Sequence, residues 1–166
     1  MNSVQVHLAL THVPVVLALA GLVMLIIAML IKNPVLIKAS YVFILVAGIS
    51  ALPVFFTGEG AEEAVEHAPG VSENLIESHE ELAKMAMIVI AIAGFAALVA
   101  LTPFRFLADR IVKPAVLLLT AFSCGLMIQT AHLGGQIRHP EITQVVSGQD
   151  GNEKTNFIPG NKEEDD

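Results

Sequence analysis

The side chains here best suited to chemistry are six histidines: His7, His12, His67, His79, His132 and His139. Neutral imidazole ligates iron, copper, zinc and nickel, and a histidine holds haem iron axially. His7 and His12 are five residues apart. On a helix that spacing turns them about 140° from one another with about 7.5 Å of rise, so they serve two directions rather than one small ion. His132 lies in Gln129-Thr-Ala-His132-Leu-Gly-Gly-Gln-Ile-Arg138-His139-Pro-Glu141, where an apolar run meets a polar tail. Gly125, Gln129 and His132 share one helical face. His79, Ala83, Ala86, Ala93, Gly94 and Ala97 approximate a small-residue stripe, and His7, Thr11, Ala18 and Gly21 another.

Small residues beside an inward imidazole leave room for something flat, and haem b held by histidines from two helices fits such a space. The expected axial ligands are His12, His79 and His132, because they lie deepest. His7 and His139 would complete a second site if two haems are bound. Arg138 is placed to pair with propionates, since guanidinium matches carboxylate bidentately. Glu80 and Glu141 are expected to accept the second N–H of a ligand imidazole. A different chemistry uses the carboxylates: Glu63, Glu66 and His67, with His79, Glu80 and Glu81, could hold a transition metal ion. The Glu-x-x-His repeats of carboxylate di-metal bundles are missing there. The plainer readings carry weight too. Small-residue stripes are ordinary packing faces between membrane helices. Boundary histidines can be interfacial hydrogen-bonders, which is the reading we assign to His67.

These residues are positioned by apolar runs. Of the 166 residues, 54% are hydrophobic and 15% charged, with a mean hydropathy of +0.68. Tracts free of Lys, Arg, Asp and Glu run from Met1 to Ile31, Ala39 to Gly58, Met85 to Phe104 and Pro114 to Ile137. Each is close to or above the ~20 residues that cross ~30 Å of hydrocarbon as a helix. The expected fold is all-α: an integral membrane four-helix bundle, up-down-up-down, with a helical outer loop. The four-helix transmembrane domain would occupy residues 1–140, with spans near 5–31, 36–57, 84–104 and 114–137 and the loop at 58–83. Residues 141–166 would form an acidic, flexible tail. No basic residue precedes Lys32, so the first run is read as a retained span rather than a signal peptide. Pro14 predicts that the first regular helix starts there or bends there. Lys32-Asn33-Pro34 reads as a tight turn, and Ser72 as an N-cap.

Lys32, Lys38, Arg105, Arg110 and Lys113 fall in or beside the first and third loops with a single acid, Asp109. The second loop and the tail hold every other acid. The positive-inside rule then puts both termini outside, and all six histidines on that outer side. The net charge of −7 argues against a nucleic-acid partner. The lone Cys124 excludes an internal disulfide and leaves c-type haem attachment without support. No nucleophile–base pair is legible, so an electron-transfer subunit is expected rather than a stand-alone enzyme.

His7-x4-His12-x-Pro14, Thr57-Gly58, His79-Glu80 with Ala83, and Ala131-His132-x-Gly134-Gly135 come in that order. Together they resemble the bacterial four-span membrane family called domain of unknown function 2231. The resemblance covers roughly residues 5 to 142. It is strengthened by Glu-Gly-Ala-Glu-Glu-Ala-Val-Glu, Pro-Gly-Val-Ser-Glu and His-Glu-Glu-Leu-Ala in the 58–83 segment, and by Ile-Arg-His-Pro-Glu. Such domains occur fused to Rieske or cytochrome c modules. The resemblance therefore implies a membrane redox role with b-type haem in the bacterial inner membrane, with the family's histidines at His7, His12, His79, His132 and His139. No such module is encoded in these residues, so a redox partner protein or a larger respiratory complex is expected to exchange the electrons. The other reading is a non-haem metal-binding or structural membrane subunit.

Overall fold

The computed structural model describes residues 3–65, 72–102 and 111–138. They form four helices: α1 (Ser3–Leu30), α2 (Pro34–Val65), α3 (Glu73–Leu101) and α4 (Lys113–Arg138). All four are long and apolar enough to cross a bilayer. The protein is a multi-pass membrane bundle.

The α1–α2 turn is built as its residue types require. Lys32 adopts a left-handed conformation, φ 53°, which lets Asn33 N–H reach back to the Ala28 carbonyl at 3.0 Å. The Asn33 side-chain oxygen then accepts from Val35 and Leu36 N–H at 3.0 and 3.2 Å. Pro34 opens α2, where its missing N–H costs nothing. Ser72 precedes α3 in extended conformation but makes no side-chain cap; its carbonyl alone accepts from Leu75 and Ile76.

α1 begins at Ser3, so Pro14 does not start it; the proline is buried inside that helix. The described parts of the helical outer segment expected at 58–83 are the ends of two long helices. α2 runs without a break through Thr57-Gly58-Glu59-Gly60 to Val65, and α3 begins at Glu73. A glycine inside a helix costs only about 1 kcal/mol relative to alanine, too little to end a helix this well packed. At 1.5 Å per residue α2 is about 48 Å long, well beyond ~30 Å of hydrocarbon. Its glutamate-bearing last turns and the first turns of α3 therefore extend past the apolar zone.

The helices pack in chain order around a closed square: α2 lies on α1, α3 on α2 and α4 on α3, and α4 returns to α1 through a much thinner seam. The interior is made of small side chains. Ala18, Ala28, Ala47, Ala51, Ala86, Ala93 and Ala97 are buried with Leu25, Ile44, Ile90 and Val116. Large apolar side chains point outward instead: Phe56, Phe95 and Leu118 are 71%, 68% and 68% exposed. Bilayer lipid covers such a surface at no cost, and small interfacial residues let helix backbones approach. Glycines mark the closest approaches. A Cβ on Gly48 would stand 2.9 Å from the Ile90 carbonyl oxygen, and one on Gly94 would stand 3.5 Å from the Gly48 Cα. On α1, a Cβ on Gly21 would meet Ile44 Cγ1 of α2 at 2.8 Å. The α3 small-residue stripe is thus a packing face against α2.

Internal polar groups are satisfied locally. Ser40 and Thr120 hydroxyls donate to carbonyls of their own helices, and Ser123 donates across to the Ala86 carbonyl at 3.2 Å. Overpacking a tight contact costs about 1–3 kcal/mol. Gly48→Ala should therefore destabilise the bundle by about that amount in a denaturation series in mixed micelles, whereas Phe95→Leu on the lipid face should be near neutral. Equal stability of Gly48→Ala and wild type would show that α2 and α3 are not locked there.

Candidate histidine site at one end of the bundle

Alternation of the four helices brings the start of α1, the end of α2, the start of α3 and the end of α4 together. His7, His12, His79 and His132 all lie at that end. His67 and His139 lie outside the described residues, as do Glu66 and Glu141. Arg138 is the last residue of α4, and its side chain is also outside the described part.

Depth along the chain does not predict which imidazoles point inward. His12 and His132 are exposed, while His7 and His79 are half-buried. The reason is helical phase. His12 is turned well away from the face on which Gly21 meets α2, and its Nδ1 bonds back to the Leu8 carbonyl of its own helix at 2.6 Å. His132 lies on the side of α4 opposite Ser123 and Gly134, which face α3, and pairs with Gln136 on its own helix at 3.0 Å. The shared face of Gly125, Gln129 and His132 exists, but it looks outward.

His7 and His79 are each anchored to the next helix through Nδ1. The His7 ring reaches from α1 to the end of α2, where its Nδ1 lies 3.2 Å from the Thr57 hydroxyl. His79 reaches from α3 to the end of α4, where its Nδ1 bonds the Thr130 carbonyl at 2.9 Å. A glycine stands beside each ring: a Cβ on Gly58 would stand 3.6 Å from His7 Cε1, an ordinary contact, and one on Gly134 would stand 3.2 Å from His79 Cε1, a tight one. The two hairpins therefore present one anchored imidazole each, from helices diagonal in the bundle.

The hydrogen bonds also assign the protons. A carbonyl only accepts, so Nδ1 of His79 carries the hydrogen. The Thr57 hydroxyl spends its own hydrogen on the Val54 carbonyl at 2.9 Å, so it accepts from His7 Nδ1–H. In both neutral rings Nε2 keeps its lone pair, the form that binds a metal. His132 is the reverse: its Nε2 accepts from the Gln136 amide nitrogen, which leaves its proton on Nδ1. All four rings are thus Nδ1–H, but only the lone pair of His132 is already engaged. The Thr130 carbonyl, rather than Glu80, accepts the Nδ1–H of His79.

Beside the site, Glu62 from α2 and Glu73, Ile76, Glu77 and Glu80 from α3 line an open cleft of about 260 Å³. Glu63 is exposed. Among the described residues no three His, Cys, Asp or Glu side chains come together in a metal-binding group.

The arrangement defines a class: a four-span membrane bundle with an anchored histidine pair at its glutamate-rich end. Comparison with protein-family models, with curated proteins and with solved structures finds no match.

Site-resolved ¹⁵N spectra of histidine-labelled, cofactor-free protein in micelles check the proton assignment. His7 and His79, when neutral, should show a protonated Nδ1 and a bare Nε2. Gly134→Ala should move the His79 signals, because its methyl group lies 3.2 Å from the ring, while Gly58→Ala should leave His7 nearly unchanged. A protonated Nε2 on either ring would contradict the anchoring described here.

Proposed function

We propose that this protein is a b-type cytochrome-like subunit of the bacterial inner membrane, carrying haem at the outer, glutamate-rich end of its bundle and exchanging electrons with a partner. The observation that carries the reading is the pair of imidazoles from diagonal helices, each tethered through Nδ1–H with Nε2 left to ligate. Donation of the second N–H to a backbone carbonyl is what orients a metal-bound histidine and raises its basicity. Haem b, when bound, supplies a one-electron couple whose potential responds to its axial ligands and surroundings. His7 and His79 would hold the iron. Gly134 leaves room for the His79 ring, and the thin α1–α4 seam is the natural side for a flat group to enter. The nearby glutamates place negative charge at the mouth, which favours a positively charged redox partner. Resemblance to the four-span family named above supports the same assignment. His12 and His132, exposed on separate faces, are left for a second haem or for contacts with a partner.

The orientation follows from charge. Lys32 and Lys38 flank the α1–α2 turn, and Glu59, Glu62, Glu73, Glu77 and Glu80 crowd the opposite end, so the turn faces the cytoplasm and the histidines face outward. In a Cys124→Ala background, Val35→Cys in intact cells should resist an impermeant thiol reagent while Glu59→Cys reacts. The opposite pattern would invert the topology.

The visible spectrum of purified protein tests the cofactor. A reducible Soret band with a sharp alpha band is expected, lost in His7→Ala and in His79→Ala, and retained in His12→Ala and His132→Ala. A colourless protein carrying zinc, copper or iron would favour a non-haem site such as Glu63, Glu66 and His67. A colourless, metal-free protein would favour a structural subunit.

A further inference from the structure

The two anchored imidazoles are held by different atoms, and the difference turns on the side chain of Thr57. Thr57 and Thr130 are counterparts. Each stands eight residues before the end of its helix, at Val65 and Arg138. Each donates its hydroxyl hydrogen to a carbonyl of that helix, Val54 at 2.9 Å and Leu126 at 2.9 Å. Such back-bonds are ordinary for threonine in membrane helices and by themselves imply nothing. Toward the neighbouring histidine the two residues differ. Thr130 offers His79 its backbone carbonyl at 2.9 Å, whereas Thr57 offers His7 its hydroxyl oxygen at 3.2 Å.

A hydroxyl has one hydrogen and two lone pairs. With its hydrogen committed to Val54, the Thr57 oxygen has only lone pairs to turn toward His7, and donation to the Val54 carbonyl polarises that oxygen into a better acceptor. The back-bond inside α2 therefore decides which nitrogen of a ring on α1 carries the proton. The hold is also the longer of the two: 3.2 Å is at the far end of N–H···O distances, and 2.9 Å is at their commonest value. Consistent with this, the His7 ring stands further from α2 at Gly58, 3.6 Å from a Cβ placed there, than the His79 ring does from α4 at Gly134, 3.2 Å.

We infer that Thr57 is a positioning residue: its hydroxyl holds the His7 ring as Nδ1–H and so presents Nε2 as a ligand. The donor strength of His7 then depends on a side chain, while that of His79 depends on main chain alone. Groups that accept the outer N–H of a ligand imidazole raise its basicity, and losing one costs about 10- to 100-fold in affinity. The inference rests on the reading of His7 and His79 as haem ligands, but the effect of Thr57 on the protons of the ring is measurable with no metal bound.

Paired threonine-to-valine changes in the full-length protein separate this role from a structural one, because both remove a back-bond of the same kind and keep the side-chain shape. In cofactor-free protein in micelles, Thr57→Val should move the His7 ¹⁵N signals away from the pattern of protonated Nδ1 and bare Nε2, and Thr57→Ser should restore it. Thr130→Val should leave His79 in that pattern, since its acceptor is main chain. In haem titrations followed at the Soret band, Thr57→Val should bind about 10- to 100-fold more weakly, with Thr57→Ser and Thr130→Val near wild type. Unchanged His7 signals in Thr57→Val would overturn the assignment. So would an equal shift of His79 in Thr130→Val, which would mark both as effects of helix bending. Protein that takes up no haem yet shows the His7 shift would uphold the role of Thr57 and sink the cytochrome reading instead.

Discussion

The contact between α2 and α3 at Gly48 and Gly94 is the constraint on which the rest depends. Backbone lies almost directly on backbone there, with the Ile90 carbonyl 2.9 Å from where a Gly48 side chain would begin. Such an approach fixes the depth and rotation of the two central helices together. α1 is then set against α2 through Gly21 and Ile44, and α4 against α3 through the Ser123 to Ala86 hydrogen bond. In a bilayer the apolar side chains gain little by turning inward, so close fit and hydrogen bonds, rather than burial of large residues, hold the helices.

Rotation fixed in the middle of the bundle decides what happens at its end. A histidine near the start of a helix can face the neighbouring helices or the lipid, and a shift of one residue turns it by about 100°. His7 and His79 have the phase that meets α2 and α4, while His12 and His132 do not. Each inward ring finds an acceptor on the next helix, the Thr57 hydroxyl for His7 and the Thr130 carbonyl for His79, and each therefore has a defined proton position and a free lone pair. The repetition of the device in both hairpins places two like groups on opposite sides of the bundle's middle. The α1–α4 seam, which has no counterpart to the Gly48–Gly94 lock, leaves that arrangement accessible from one side.

The same rotation separates two roles for small residues that look alike on paper. Ala86, Ala93, Gly94 and Ala97 on α3 are buried against α2 and are consumed by packing within the chain. Ala121 and Gly125 on α4 are turned away from it.

Four charge-free tracts, a proline–asparagine turn and the segregation of glutamate from lysine were enough, read as a sequence, to determine a four-helix membrane bundle with His7, His12, His79 and His132 at one end. Length and hydropathy dictate this directly, because no other backbone arrangement of these tracts leaves its peptide groups satisfied in lipid. The sequence also put Thr57-Gly58 and Gly134 among the notable residues, although not what they do. Depth along the chain singles out His12, His79 and His132, but of these the bundle turns only His79 inward, together with His7, because inward direction depends on helix phase relative to neighbours. That phase is set by contacts between residues far apart in sequence, such as Gly48 with Ile90 and Gly94. α2 also runs unbroken past Gly58 and Gly60, at a penalty of about 1 kcal/mol per glycine, beside the Val54–Thr57 and His7–Thr57 hydrogen bonds. Which histidines turn into the bundle was therefore a property of the assembled helices and of no single stretch of chain.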